Sequence, residues 1–157
     1  MRKIFEYFKY DIWRVMKPEA YHGAGKSGPY FEGWYYKLVS SDGGSRISII
    51  PGIYKGAQES DSHSFIQIID GVRGKSRYIH YPYGEFSFRK GLLDITVGKS
   101  IFRDDQISLD VSEDNFSVIG ELSFDSLTPW PVRLVSPGIM GWYAWVPGME
   151  CYHGVVS

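Results

Sequence analysis

The sequence predicts an all-β protein whose antiparallel strands form a barrel or a sandwich, preceded by a short N-terminal helix. Turn signals such as SDGG, DGVRG and SEDN separate short apolar stretches at regular intervals. Little sequence of helical pattern lies between these stretches, which argues against a parallel α/β sheet. The chain also contains 12 Tyr, 9 Phe and 5 Trp, and aromatic residues favour strands.

Length and charge limit the classes of function. A chain of 157 residues suits a single domain. With 17 basic and 18 acidic residues it has no basic surface for nucleic acid or acidic lipid. Polar residues at Glu6, Lys9 and Asp11 interrupt the N-terminal apolar pattern, so no secretory signal is predicted. No apolar run is long enough for an integral membrane segment, and we expect a cytoplasmic protein.

The first predicted element is a helix over residues 3–16, within a helical N-terminal segment 1–20. Its apolar stripe has helical spacing, and Pro18 ends it. The stripe consists of Ile4, Phe5, Phe8, Ile12, Val15 and Met16. A glycine-rich loop follows at 21–29. Its Gly25-Lys26-Ser27 lacks the spacing of a phosphate-binding loop before a helix, so a phosphate site there is disfavoured.

The rest of the chain, residues 30–157, is predicted to form one antiparallel β-barrel. In one strand Ile107, Leu109 and Val111 alternate with polar residues, as in a strand with one buried face. The predicted strands are 31–39, 46–53, 63–70, 77–81, 84–89, 92–97, 99–103, 106–111, 115–124, 131–135 and 142–156, the last with a break at Pro147.

The last predicted strand ends the sequence without a polar tail or a turn. This pattern predicts a fragment or an unusually short chain. A strand that ends in this way leaves an open edge, so a homodimer formed by strand pairing is one predicted partner arrangement.

Two stretches carry a family resemblance. The first is FEGWYYK at 31–37, which follows His22-Gly23, and the second is GIMGWYAWVPGMECYHGVVS at 138–157. Together they resemble the tocopherol cyclase family and its bacterial relatives. The resemblance implies a calycin-like, lipocalin-related fold and a chain that matches the N-terminal half of a longer family chain. A tryptophan-rich block of the family's second half is missing here, and Gly33 directly precedes Trp34 instead of forming the lipocalin Gly-x-Trp pattern.

The resemblance implies acid-catalysed ring closure of a prenylated hydroquinone to a chromanol in the complete protein. If the chain is an enzyme, it is then an isomerase- or lyase-type cyclase without a metal or redox cofactor. The reaction needs a carboxylic acid kept protonated by apolar surroundings, aromatic faces beside the cation, and exclusion of water. The alternatives are a non-catalytic calycin-like module that binds a hydrophobic or prenylated small molecule, and a structural domain whose aromatic residues fill the core.

Strand alternation places Glu32 among aromatic residues. One face of the motif strand carries Tyr30, Glu32, Trp34, Tyr36 and Leu38. Glu32 is therefore the candidate general acid, and the alternative is a buried carboxylate held by neighbouring donors. His22 is a second candidate, either as a proton relay or through a hydrogen bond that fixes its loop.

Aromatic residues in the two motifs are candidate ligand contacts, although core packing is the more common role of such residues. The ligand-binding candidates are Trp34, Tyr36, Trp142, Trp145, Tyr152 and His153. Cys151 and His153 share a predicted face, but no third group that would orient a nucleophilic pair is evident. With one cysteine and no zinc-type spacing among four histidines, no metal site is predicted.

Overall fold

The computed structural model describes residues 12–113, 115–125, 127–133, 135–146 and 154–156. Helix α1 covers the described residues 12–16. In this part of the chain the strands are β1 (Tyr30–Gly33), β2 (Tyr36–Val39), β3 (Arg46–Lys55), β4 (His63–Asp70), β5 (Lys75–Pro82), β6 (Phe86–Phe88), β7 (Asp94–Val97), β8 (Ser100–Arg103), β9 (Gln106–Glu113), β10 (Phe116–Ser123), β11 (Leu127–Pro129), β12 (Val132–Arg133), β13 (Ser136–Pro137) and β14 (Gly154–Val156). Short 3₁₀ turns occupy Glu59–Asp61, Tyr83–Glu85 and Gly141–Trp145.

Two antiparallel sheets make up most of the structure. In the first sheet β1 and β2 both pair with β3, which is followed by β4 and β5. In the second sheet β6 to β10 lie in chain order. The 3₁₀ turn Tyr83–Glu85 links the two sheets. No ladder joins the sheets in the described ranges, so the architecture is the predicted sandwich and not a closed barrel.

The core lies between the facing surfaces of the two sheets. The first sheet contributes four isoleucines, and the second contributes six apolar residues from β7, β8 and β9. These residues are Ile49, Ile66, Ile68, Ile79, Ile95, Val97, Phe102, Ile107, Leu109 and Val111. The alternation predicted for β9 is confirmed, because its three apolar residues are all buried. Burial of one face of each sheet is the main stabilising contribution in such a sandwich.

The predicted strand 31–39 is interrupted between β1 and β2. Trp34 donates its backbone N–H to the carbonyl of Pro51 at 3.0 Å. Pro51 has no N–H to return the bond, so the ladder breaks there although the pairing register is the same on both sides. Side-chain alternation therefore continues through the gap, and Trp34 stays on the half-buried face while Tyr35 is exposed.

Other predicted boundaries need correction. The predicted strand 142–156 is wrong at its start, where 141–145 forms a 3₁₀ turn, and within the described residues only 154–156 is a strand. Gly138 and Gly141 have φ values of 73° and 56°, which bend the chain just before this turn and at its first residue. The predicted strand 131–135 is instead the short hairpin of β12 and β13. Most of the predicted helix 3–16 lies outside the described residues.

The terminal strand has a partner within the chain. β14 pairs antiparallel with β11, from Leu127–Val156 to Pro129–Gly154. One side of the strand predicted as an open edge is therefore occupied. The homodimer stays a prediction. Among the described residues no helix has both the length and the apolar character needed to cross a membrane.

Candidate functional site

Glu32 accepts hydrogen bonds from two groups. The backbone N–H of His22 lies 3.1 Å from Oε1 and 3.0 Å from Oε2. The hydroxyl of Tyr30, two residues away on the same face of β1, donates to Oε2 at 2.5 Å. Donors directed at both oxygens stabilise the ionised carboxylate more than the neutral acid. The arrangement therefore favours a structural acceptor over a proton donor.

His22 is buried and connects the end of α1 to the motif strand. Its Nε2 lies 2.9 Å from the carbonyl oxygen of Lys17, and since a carbonyl only accepts, Nε2 donates. Its Nδ1 lies 3.7 Å from Glu32 Oε1. Trp13 packs edge-on against the imidazole, with ring centres 5.1 Å apart. The hydrogen bond that fixes the loop, one of the two predicted roles, is present.

The glycine-rich loop 21–29 presents carbonyl groups to a cation. The ammonium of Lys55 donates to the carbonyl of Gly23 at 2.6 Å and to that of Lys26 at 3.1 Å. The ammonium of Lys26 lies over the ring of Tyr30, 4.3 Å from its centre. A phosphate cradle needs N–H groups that point inward, so these contacts support the structural interpretation of the loop.

Trp34 and Tyr36 pack against the core of the sandwich. The indole N–H of Trp34 donates to the carbonyl of Glu19 at 2.9 Å. Tyr36 stacks on Phe102 with ring centres 5.9 Å apart. Burial raises the pKa of the Tyr36 phenol above its ordinary value, and the negative charge of Asp104 raises it further. Both side chains therefore pack against the core of the sandwich.

The candidates near the C-terminus belong to a different part of the structure. Trp142 lies in the 3₁₀ turn, is 65% exposed and stacks on Tyr143 at 4.0 Å between ring centres. Trp145 closes the same turn and is half-buried. Tyr152 and His153 lie outside the described residues. Glu32, His22 and Trp34 thus lie in one part of the structure, whereas Trp142 lies in another and stacks on Tyr143.

The structure also contains a groove of about 490 Å³ that was not predicted from the sequence. Its walls come from the end of α1 and the segment after it, from the β8–β9 turn, and from β11, the start of β12 and the chain between them. The lining residues are Met16, Pro18, Glu19, Asp104, Leu127, Pro129, Trp130, Pro131 and Val132. Glu19 connects this wall to the motif strand, because its carbonyl accepts the indole N–H of Trp34.

Pro129-Trp130-Pro131 is the local signal that could have indicated the groove. Two prolines remove the N–H groups on either side of the tryptophan and so limit its pairing in a sheet. Trp130 is accordingly 50% exposed. An exposed indole held between prolines is a rigid apolar surface for a ligand.

The residues that line the groove are apolar apart from two carboxylates, Glu19 and Asp104, but about half of the groove's surface is polar. Glu19 forms an ion pair with Lys17 at 3.6 Å. Asp104 is exposed at the β8–β9 turn. The groove is therefore an open cleft that offers both apolar side chains and polar acceptors to a ligand.

Comparisons with protein-family models, curated proteins and solved structures find no match for this chain. The tocopherol cyclase resemblance therefore stays a prediction from the two motifs. In the part of the chain that the structure describes, no three His, Cys, Asp or Glu side chains form a metal-binding group.

Proposed function

We propose that this chain is a β-sandwich domain, related to tocopherol cyclases, that binds an apolar small molecule of the prenylated phenol or hydroquinone class in the Trp130 groove. The observation that carries the proposal is the groove itself, with its apolar wall and two carboxylates. A volume of about 490 Å³ lies within the range of drug-sized ligand sites.

A prenylated hydroquinone has an apolar tail and a polar aromatic head, and the residues that line the groove can contact both. A prenyl tail is apolar and suits Met16, Leu127 and Val132, while an aromatic head can stack on Trp130. Hydroquinone hydroxyls are hydrogen-bond donors, and the carboxylates of Glu19 and Asp104 are acceptors. Among the described residues no basic side chain lines the groove, so an anionic ligand is disfavoured.

Binding is favoured over catalysis by the environment of the candidate acid. Alkene protonation needs a carboxylic acid kept neutral by apolar surroundings. Glu32 instead accepts hydrogen bonds from His22 and Tyr30. Neither Glu32 nor His22 lines the groove. We therefore propose a non-catalytic ligand-binding role for this chain by itself.

Removing the indole of Trp130 should weaken binding of a prenylated hydroquinone by about tenfold or more, because burial of an aromatic side chain against a ligand is worth roughly 1.5–3 kcal/mol. The measurement is calorimetric titration of 2-geranylhydroquinone under anaerobic conditions. Trp142→Ala is the matched control, because it removes another exposed tryptophan outside the groove, and its affinity should stay within about twofold of the wild type.

Two results would contradict the proposal. One is absence of saturable binding by the wild-type chain. The other is equal loss of affinity in Trp130→Ala and Trp142→Ala, which would indicate nonspecific association of the ligand with exposed aromatic rings.

A further inference from the structure

The outer face of the first sheet carries a cluster of aromatic rings and two histidines. Ile66 and Ile79 point into the core, so their strand neighbours Phe65, Tyr78 and His80 point away from it. We call this surface the outer aromatic face. It consists of Phe31, Tyr35, Tyr54, His63, Phe65, Tyr78 and His80.

His63 has a defined tautomer on this face. Its Nδ1 lies 3.2 Å from the backbone carbonyl oxygen of Asp61, so Nδ1 carries the proton. Its Nε2 lies 3.0 Å from the hydroxyl of Tyr78, which donates to the Nε2 lone pair. An imidazole whose N–H is held by a backbone carbonyl, with a lone pair on its other nitrogen, has the tautomer that metal-binding histidines use.

His80 supplies a second imidazole at close range. It is exposed on the neighbouring strand β5, opposite Phe65 and therefore diagonal to His63. The two imidazole centres are 4.3 Å apart, with a tilt of 36° between the ring planes.

The spacing of the two rings suits neighbouring ligands of one metal ion. A nitrogen about 2.0 Å from a metal places its imidazole centre roughly 3.2 Å from that metal. Ring centres 4.3 Å apart then subtend roughly 85° at the metal. This value is near the right angle of square-planar Cu²⁺ or Ni²⁺ and below the tetrahedral angle of Zn²⁺.

We propose that His63 and His80 form a two-imidazole binding site for Cu²⁺ on the outer aromatic face. The carbonyl of Asp61 holds the His63 ring, and water completes the coordination. The site uses none of the groove residues and is independent of the proposed ligand-binding function.

Tyr78 competes with the metal for the Nε2 lone pair of His63. Metal binding must break its 3.0 Å hydrogen bond to His63. Removing the Tyr78 hydroxyl should therefore strengthen the binding of Cu²⁺.

The test is titration of the full chain with Cu²⁺ in glycine buffer, which suppresses weak sites, followed by pulsed EPR to count the coordinated imidazoles. The wild type should bind one Cu²⁺ with two imidazoles. His63→Ala and His80→Ala should each weaken binding by about tenfold or more and leave one imidazole. Tyr78→Phe should bind more tightly.

Three results would overturn the site. They are a single imidazole in the wild-type spectrum, equal affinity in His63→Ala and the wild type, and equal affinity in His80→Ala and the wild type. Weaker binding by Tyr78→Phe would make the phenol a ligand and would contradict a two-imidazole site. The urea midpoint of each variant, compared with that of the wild type, verifies that the variants are folded.

Discussion

Replacing Glu32 with alanine should lower the free energy of unfolding by about 2–4 kcal/mol, because buried donors that lose their acceptor keep their full desolvation cost. The N–H of His22 and the hydroxyl of Tyr30 both lose this acceptor in the variant. The His22 side chain is 2% exposed, so solvent does not readily replace the carboxylate. Urea denaturation at neutral pH measures the change.

Two matched variants separate the charge of Glu32 from its hydrogen bonds. Glu32→Gln keeps one acceptor oxygen and should be destabilised by roughly half as much as Glu32→Ala. Tyr30→Phe removes one hydrogen bond and should cost about 1 kcal/mol. If Glu32→Ala were as stable as the wild type, the carboxylate would not have a structural role, and a catalytic role would become the better explanation.

Replacing Phe102 with alanine should lower the free energy of unfolding by about 3–5 kcal/mol, because the change removes buried apolar area and leaves a cavity. Phe102 is fully buried on β8 at the centre of the second sheet. Its ring stacks on Tyr36 of the first sheet, so it connects the two layers of the sandwich. The urea midpoint should fall, with an unchanged slope if the denatured state is the same.

Ile119→Ala is the control for this prediction. Ile119 lies on β10, carries a side chain of comparable chemistry and is 71% exposed. Its replacement should change stability by less than about 0.5 kcal/mol. If Phe102→Ala lowered the free energy of unfolding no more than Ile119→Ala does, the result would contradict the packing of the two sheets against each other.

Local alternation made much of the sandwich predictable from the sequence. Ile107, Leu109 and Val111 are buried as the period of two requires, because each strand buries a single face. The same rule placed Glu32 on the half-buried face of the motif strand. The break in that strand was not predicted, since it depends on Pro51 of the neighbouring strand.

The proposed binding surfaces were harder to predict because they are formed by residues far apart in the chain. The groove brings Met16, Asp104 and Trp130 together from three segments, and none of them belongs to either family motif. His63 and His80 become neighbours only through the pairing of β4 with β5. A search for zinc-type spacing along the sequence therefore found no pair.

The C-terminal motif was predicted to begin as a strand, and the local backbone conformation explains why it does not. Its aromatic residues favour a strand, but Gly138 and Gly141 adopt positive φ and turn the chain before the Trp142 segment. Residues 141–145 therefore form a 3₁₀ turn in place of a paired strand, and the indole of Trp142 in this turn is exposed. Glycines that bend the backbone outweigh the β-propensity of the residues that follow.

The central claim is that a prenylated hydroquinone binds in the Trp130 groove and not beside Glu32. Two-dimensional ¹H–¹⁵N NMR of the indole N–H groups during a titration with 2-geranylhydroquinone tests it most directly. Trp130 lines the groove, and Trp13 packs on His22 beside Glu32. The account predicts a saturable shift of the Trp130 signal and an unchanged Trp13 signal. A saturable shift of Trp13 with an unchanged Trp130 would place the ligand at Glu32 and contradict the account.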